Sequence, residues 1–571
     1  MSVHGVWWGV TALSLATLVC LSSQGVAEVQ GAAVAQRAAA PQIKLEIIEK
    51  MPRLPVPFEI RDWRKVATDM DAVLFDFKAT GEHLPAIWWD KAQRNAPQDS
   101  FALPAYLGDS RQRAENPENH EAITAIGAVL SASLNGIDKS RQDGQNYAHQ
   151  LLNYFNKDNG LGIVMNGTNA KNSSFWYDLF PNVGFAAVSS LYPNDKELEG
   201  ATRQSADRWG EAIRAIAAGR LMPDFEITYF DFKTMRPVNN GQWLEPDAAA
   251  GLVWLQFAAY TRWKDPKYLE LAQICMRYLE SLPRNKSPLY ELLLSYGTLA
   301  AARMNAELGQ KYDLEKMMYW LFDGDSFARG DWSVIADRWG DQDVYGLHGS
   351  FSDFGGYAFA FNTFNLAGSL APIPRYDARY ARSIGRWLLN LANSARLFYP
   401  KYLGEDNQIQ PEYRGAYRDA LAYEGLRKKW GIASPYGVGD ARRFGWASTD
   451  FALYGSAYVG LLGGIVGFTS DPYILEIDLL KTDYLHAKAY PTFLYYNPHP
   501  ETRVLNIDLG KEHVNLYDSV THALVNQNAT GIVNLEMAAD TARVIVRTPV
   551  KPLELRGGKV LVDGVIVDYA P

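Results

Sequence analysis

The feature that most constrains the fold is a long succession of helical patterns. From Asp62 to about Gly467, apolar residues recur at spacings of three and four, as they do in helices that bury one face. The clearest case follows Asp265, where an N-cap aspartate precedes Pro266 and then an apolar stripe. This pattern predicts about a dozen helices, joined by loops rich in Gly, Pro, Asn and Asp and without strands between them.

The segment Ala248 to Tyr260 is apolar on almost every side, which is typical of a helix enclosed by other helices. About a dozen helices can form a bundle, a solenoid or a closed toroid. The sequence contains no exact repeat of the kind that solenoids show. Because the loops carry much of the Trp, Tyr, Asp and Gly, we expect them to converge on one site.

The pattern changes near Asp471, where short β-branched runs replace the helical spacing. Residues 560–567 are two such runs around Asp563-Gly564, a strong hairpin signal, and Gly557-Gly558 predicts the preceding turn. We therefore predict a mainly helical catalytic domain over residues 58–470 and a small antiparallel, sandwich-like β domain over residues 471–571. The β domain shows no cluster of aromatic and acidic residues, so we expect it to be structural.

The N-terminal region has the layout of a secretory signal. An apolar run from Val6 to Leu21 is followed by small residues, which predicts a signal peptide over residues 1–27 and a secreted or periplasmic protein. An uncleaved membrane anchor is the alternative. Residues 28–57, rich in Ala, Gln and Pro, are predicted to be a loosely ordered arm. No later stretch is long and apolar enough to span a membrane.

Composition and missing motifs narrow the chemistry. A net charge of −8 argues against a nucleic-acid partner. Cys20 would leave with the signal, so Cys275 stands alone on an apolar stripe and is interpreted as core packing. The metalloprotease, phosphate-loop and nucleophile-elbow motifs are absent. We predict no cofactor and no metal site; a calcium ion bound by carboxylates is the alternative.

Acidic residues among aromatic residues are the main catalytic candidates. We predict catalytic carboxylates at Glu245, Asp343, Asp341 and Asp178. Glu245 is preferred, because Trp243 and Pro246 place it where a buried helix begins; a helix-capping role is the alternative, and Asp247 is interpreted as a plain cap. Asp341 and Asp343 would lie on one side of an extended chain, where they could act as a pair of carboxylates. The alternative interpretation is that they belong to a solvated acidic loop without a catalytic role.

Aromatic side chains in the loops are candidates for binding a hydroxylated ring, whose C–H groups pack against aromatic faces. The predicted substrate-binding residues are Trp176, Trp243, Trp339, Tyr345, His348, Tyr436, Phe444 and Trp446. Three of them lie in the segment 430–446, interpreted as a long functional loop or a lid. Beside it, Glu424 is interpreted as lying on a solvated helix face and Asp450 as a candidate helix cap.

The phrase Gln242–Asp247, which opens a buried helix that ends near Asp265, is similar to the entry of an inner helix in α/α-toroid carbohydrate-active enzymes. The order of elements from Asp62 to Pro571 also resembles these glycoside hydrolases and polysaccharide lyases, many of which carry a C-terminal β domain. The resemblance assigns no single family. It implies a mainly α, (α/α)6-type toroid, an oligo- or polysaccharide substrate, and hydrolysis with inversion.

The sequence is compatible with three functions. The leading hypothesis is a glycoside hydrolase with two carboxylates. The second is a polysaccharide lyase, in which Tyr345, His348 or Tyr357 takes a proton and arginines neutralise a uronate carboxylate. The arginines available for that role are Arg111, Arg113, Arg442 and Arg443. The third is a glycan-binding protein without activity. The oligomeric state is not predicted.

Overall fold

The computed structural model describes residues 38–324 and 326–569. The predicted signal peptide and residues 28–37 of the predicted arm lie outside them. The α-helices of the described part are α1 Glu46–Glu49, α2 Trp63–Leu74, α3 Ala122–Leu134, α4 Tyr147–Gln150, α5 Phe175–Asp178, α6 Phe180–Leu191, α7 Lys196–Ala217, α8 Ala248–Trp263, α9 Pro266–Ser281, α10 Leu293–Leu308, α11 Leu314–Phe322, α12 Ala360–Leu370, α13 Ile373–Tyr376, α14 Ala381–Ser394, α15 Leu453–Ser456 and α16 Val459–Ile465. Short 3-10 helices occupy Leu151–Tyr154, Asp353–Gly355, Ala378–Tyr380, Ala395–Phe398, Pro400–Tyr402, Glu405–Asn407, Pro411–Tyr413 and Ala416–Asp419.

Six helical segments form a closed inner ring. In order around the ring they are α3, α6, α8, α10, α12 and the pair α15–α16, and α16 contacts α3 to close it. Helices α2, α7, α9, α11 and α14 pack outside this ring, and α4 with the 3-10 helix after it completes the outer layer. The prediction of an (α/α)6-type toroid is confirmed, and ring closure excludes an open solenoid.

The inner helices are buried on all sides, which explains why their sequences lack a polar face. Every residue of α12 and of α16 is buried. Small residues let the backbones approach closely: a Cβ atom added at Gly297 of α10 would lie 2.5 Å from the Cβ of Ala250 on α8. In the outer layer, α9 begins as predicted, with the Asp265 side chain accepting from the Lys267 N–H, and Cys275 is buried.

The prediction that the helical region lacks strands is wrong. Its strands are β1 Trp88–Asp90, β2 Ser100–Ala102, β3 Tyr229–Asp231, β4 Arg236–Val238, β5 Trp332–Val334, β6 Arg338–Trp339, β7 Gln342–Asp343, β8 His348–Ser350, β9 Tyr357–Phe359, β10 Gly425–Arg427 and β11 Tyr436–Val438. Five of them form an antiparallel sheet in the order β11-β10-β9-β8-β5. Strands of two or three residues are too short to show an alternating pattern, which explains the error.

The C-terminal part is antiparallel β, as predicted. Its strands are β12 Val466–Phe468, β13 Leu475–Asp478, β14 Thr492–Tyr496, β15 Arg503–Asp508, β16 Val514–Asp518, β17 Ala523–Ala529, β18 Ile532–Met537, β19 Ala542–Pro549, β20 Leu553–Arg556, β21 Lys559–Val562 and β22 Val565–Asp568. A six-stranded sheet, β12-β13-β14-β19-β16-β17, shares a small apolar core with the β15-β18 pair. The β21-β22 hairpin turns at Asp563-Gly564, both with positive φ.

The β domain shares its core with the toroid. Helix α14 packs on β14 and β19, and Leu494 and Val544 of those strands belong to the main hydrophobic core. The sheet also begins at Val466, directly after α16 and before the predicted boundary at Asp471. The two parts are therefore joined by buried apolar contacts, without a linker between them.

Residues 38–57 differ from the loosely ordered arm that composition predicted. Leu45, Ile48 and Met51 are buried in the main core. The Glu49 carboxylate contacts the guanidinium groups of Arg382 and Arg386 on α14. A few apolar side chains and one ion-pair cluster are enough to dock the segment, and neither is visible in its average composition. Among the described helices, none has both the length and the apolar character needed to cross a bilayer.

Candidate active site

A cavity of ≈ 730 Å³ lies at one end of the ring. Its lining residues precede or open the inner helices: Ala105, Tyr106, Arg111, Gln112 and Glu121 before α3; Ser173, Ser174, Trp176 and Tyr177 before α6; Asn240, Gln242 and Trp243 before α8; Tyr290 and Glu291 before α10; Arg329, Trp332, Tyr357 and Phe359 before α12; and Glu424, Asp440, Trp446 and Tyr454 before and within α15. The cavity therefore lies at the N-terminal end of the inner ring, where helix dipoles favour negative charge. Its size is that of a small-molecule site.

Glu424 is a buried carboxylic acid in the cavity wall. Its Oε1 accepts from the Tyr454 hydroxyl at 2.8 Å and the Tyr106 hydroxyl at 3.2 Å, and its Oε2 accepts from the Asp440 N–H at 2.5 Å. Burial, with a contribution from the nearby Asp440 carboxylate, raises the pKa of Glu424 to about 7. Near neutral pH, this group can therefore give up or take back a proton.

Glu291 is a second buried carboxylate, held by a cation. It precedes α10, and its Oε1 contacts the guanidinium of Arg329. Burial raises the pKa of Glu291, while the Arg329 charge acts in the opposite direction and favours the ionised form. Arg329 is itself fixed, because its guanidinium stacks 3.7 Å from the centre of the Trp332 ring.

Glu121 is a third carboxylate of the cavity, at the start of α3. Its Oε1 accepts from the Asn166 amide at 2.7 Å and its Oε2 from the Gln112 amide at 3.2 Å. Burial raises the pKa of Glu121, and the two amide bonds oppose that shift. The Arg111 charge also favours the ionised form of Glu121, but the effect of burial is larger.

Aromatic side chains form much of the remaining wall. Trp176, Trp243, Trp332, Tyr177 and Trp446 all line the cavity. Trp243 is 49% exposed and Tyr177 is 46% exposed, so their rings can be reached from the opening. The Arg111 guanidinium lies 4.9 Å from the Trp446 ring centre. Flat apolar faces beside carboxylates are the surroundings that a sugar ring requires.

Glu245, the preferred candidate, is not part of the cavity lining. Its carboxylate lies behind the wall, accepting from the Ser174 hydroxyl at 2.6 Å and from the Trp176 N–H at 2.8 Å. Glu245 therefore holds the short helix α5, which carries Trp176 and Tyr177. Its neighbour Asp247 is not a plain cap either, because its carboxylate accepts from the Glu291 N–H at 3.3 Å instead of from its own helix.

These buried carboxyls predict a pH-dependent stability. Burial raises the pKa of Glu245 to about 8, that of Asp178 to about 8 and that of Asp247 to about 7. An unfolded carboxyl titrates near pH ~4. Between the unfolded and the folded pKa values, the folded state binds more protons than the unfolded state. The free energy of unfolding should therefore fall as pH rises from about 5 to about 8.

Glu245→Gln should make that fall less steep, because it removes one of the titrating groups. Urea denaturation at pH 5 and pH 8 measures the difference for wild type and variant. Glu512→Gln, at an exposed position between β15 and β16, is the matched control and should leave the wild-type slope unchanged. An identical slope in Glu245→Gln would show that Glu245 titrates alike in both states.

Asp178 lies beside the cavity. It is fully buried on α5, and its Oδ2 accepts from the Ser173 N–H at 3.1 Å and the Asn172 amide at 3.2 Å. It lines a separate groove that adjoins the cavity. A catalytic role for Asp178 would require substrate in that groove.

The predicted residues of the 339–348 segment do not line the cavity. Asp343 is buried and accepts from the Val56 N–H at 2.7 Å, while Asp341 is exposed. Trp339 is buried, and its indole N–H donates to Asp337 at 3.0 Å. Tyr345 lies in the loop between β7 and β8. Within this segment, β6 and β7 pair as a short antiparallel hairpin.

His348 on β8 is buried behind Trp332, whose ring centre is 5.9 Å away. Burial and the charge of Arg329 lower the pKa of His348 to about 3. The imidazole is therefore neutral at ordinary pH, and it does not reach the cavity lining.

The segment 430–446 is partly regular structure, because β11 pairs with β10. Of its predicted platforms, Trp446 lines the cavity, whereas Tyr436 stacks on Trp430 and Phe444 stacks on Trp446. Glu424 is not on a solvated helix face, since it directly precedes β10 and is buried. Asp450 does not cap α15; its carboxylate accepts from the Arg442 N–H at 3.0 Å.

Sequence reasoning missed Glu121, Glu291 and Arg329. A signal for the two glutamates was present, because Glu121, Glu245 and Glu291 each lie shortly before a helix that is mostly apolar. Arg329 had no comparable signal, since only the fold brings it to Glu291. Among the described residues, no group of three or more His, Cys, Asp or Glu side chains is placed to hold a metal ion.

No family model matches the sequence, and no curated protein matches it. Among solved structures, the chain is similar to a family 76 glycoside hydrolase from a bovine Bacteroides thetaiotaomicron strain, with 9% identity, a TM-score of 0.38, and 71% of this chain and 77% of the other covered. It is also similar to an unsaturated glucuronyl hydrolase from Streptococcus agalactiae, with 12% identity, a TM-score of 0.34, and 75% of this chain and 98% of the other covered. A D-mannose isomerase is similar too, with 10% identity, a TM-score of 0.38, and 70% of this chain and 96% of the other covered. Since likenesses this distant do not define a reaction, the chemistry has to be inferred from the cavity.

Proposed function

We propose that the protein is a glycoside hydrolase that cleaves an oligo- or polysaccharide in the cavity of the toroid. The observation that carries the proposal is the pair Glu424 and Glu291 in one aromatic-walled cavity. One carboxyl has a pKa of about 7, and the other contacts a guanidinium. Glycosidic hydrolysis requires this combination of one protonated and one ionised carboxyl group.

In this proposal Glu424 is the general acid. Its proton passes to the glycosidic oxygen as the bond from that oxygen to the anomeric carbon breaks. Glu291 is the general base, which takes a proton from a water molecule whose oxygen attacks the anomeric carbon. The Arg329 charge favours the ionised form of Glu291 against the opposing effect of burial, and solvent then returns both carboxyls to their starting states.

We further propose that hydrolysis inverts the anomeric configuration. The two carboxyls come from different parts of the ring, with Glu291 before α10 and Glu424 bonded to α15 through Tyr454. An inverting site needs space for a water molecule between the base and the sugar. A cavity of ≈ 730 Å³ offers that space in addition to a sugar ring.

A lyase is less well supported because the described tyrosines of the cavity wall are held in their protonated forms. Burial raises the pKa of Tyr106, Tyr357 and Tyr454 well above the ordinary value, which makes their deprotonated forms rare. Of the other predicted acceptors, Tyr345 and His348 are outside the lining. Arg111 and Arg329 do line it, so acidic glycans belong among the substrates to be tested.

The test is a screen of the purified protein against neutral and uronate-containing glycans. A hydrolase produces new reducing ends with saturated sugars, and proton NMR of the first product should show the anomer opposite to the substrate bond. Products that absorb in the ultraviolet would identify a lyase. Binding without any new reducing ends would identify a glycan-binding protein.

A further inference from the structure

A second polar groove adjoins the cavity. Its volume is ≈ 380 Å³, and it runs between the segment from Arg94 to Glu121 and the loop 165–173. Gln112, Glu121, Ser173 and Tyr177 line both spaces, so the groove and the cavity share a wall. A chain bound in the cavity can therefore continue past Glu121 into the groove.

The groove presents polar groups that lack partners in the folded protein. Asn169 and Lys171 are exposed there, and within the described residues neither side chain has a hydrogen bond or ion pair. Asp178 also lines the groove; it is fully buried, and among the described residues its Oδ1 has no hydrogen-bond donor. A buried oxygen without a donor is costly, and a bound hydroxyl group or an ordered water can satisfy it.

We propose that this groove is a further sugar-binding subsite, so that the natural substrate is an oligo- or polysaccharide chain and not a single glycoside. The proposal rests on the proposed function, because it assumes that the sugar at the cleavage point occupies the cavity. Asn169 and Lys171 donate to hydroxyl or ring oxygens of the neighbouring sugar. Tyr177, at the junction, provides an aromatic face between the two positions.

The test uses unbranched oligosaccharides of two to six units from the glycan classes in the screen, each labelled at its reducing end. Wild type is compared with the double variant Asn169→Ala/Lys171→Ala and with Lys511→Ala, an exposed lysine of the β domain, as control. We expect the wild-type kcat/KM to rise with chain length. The double variant should lose roughly tenfold on the longest chain, as expected for two hydrogen bonds, and little on the shortest chain that is cleaved.

Calorimetry with the Glu424→Gln variant separates the two proposals, because it measures binding without turnover. Tighter binding of longer chains, lost with the Asn169 and Lys171 changes, supports the subsite. Cleavage at a rate independent of length, with the double variant equal to wild type, overturns the subsite and leaves the hydrolase intact. If no chain is cleaved or bound at any length, both proposals are wrong.

Discussion

Glu424→Gln should reduce kcat/KM by about a hundredfold to ten-thousandfold, the usual cost of losing general acid catalysis. The substitution keeps the shape of the side chain but removes the proton that the leaving oxygen needs. In wild type, kcat/KM should fall as pH rises through about 7, because Glu424 loses its proton over that range. The variant should lack this descending limb.

A substrate with a strong leaving group makes the test specific. A dinitrophenyl glycoside needs little protonation as it leaves, so the loss in Glu424→Gln should be much smaller on it than on the natural chain. Glu412→Gln, an exposed position outside the cavity, is the matched control and should behave as wild type on both substrates. Equal losses on both substrates would contradict the assignment of Glu424 as the acid.

Asp483→Asn should lower the free energy of unfolding by about 3–5 kcal/mol, the usual cost of breaking a buried ion pair. Asp483 lies in the connection after β13 and is completely buried. Its Oδ2 accepts from Arg375 at 2.8 Å and from the Tyr376 hydroxyl at 2.6 Å, and its Oδ1 is 3.6 Å from Arg303. Asparagine keeps the volume but leaves two buried guanidinium groups without their shared carboxylate.

Urea denaturation followed by circular dichroism measures this effect, with Glu512→Gln as the control in the same domain. The control should stay within about 0.5 kcal/mol of wild type, as surface changes usually do. A loss below about 1 kcal/mol in Asp483→Asn would mean that the Asp483 cluster does not join the β domain to the toroid. The cluster links α10 and α13 to the β domain. Removing that domain would also leave these buried arginines without their carboxylate, so we expect the toroid to be destabilised.

The helical part of the fold was predictable because each inner helix has its own sequence signature. Ala248 to Tyr260 is apolar on almost every side, a pattern typical of a helix that other helices surround. The β21-β22 hairpin was also predictable from a few neighbouring residues, since Asp563-Gly564 adopts the positive φ values that its turn requires. The short strands of the toroid were not predictable, because two or three residues carry no period.

The site was only partly predictable. Local spacing in the sequence shows which segments precede the inner helices, but it does not show which of their side chains line the cavity. Glu245 and Glu291 precede similar apolar helices, yet only Glu291 lines the cavity. The difference arises from partners distant in the chain: Ser174 and Trp176 hold Glu245 behind the wall, and Arg329 holds Glu291 within it.

The sequence by itself determined the helix-rich class, the change to β structure near residue 471, and the presence of aromatic and acidic residues in the loops before the inner helices. Tertiary structure alone decided which carboxyls share the cavity and how far their pKa values shift. Glu424 shows the reason: its hydrogen-bond partners Tyr106 and Tyr454 lie 318 and 30 residues away in the chain. Burial and charge depend on distances in space, and only closure of the ring brings those residues together.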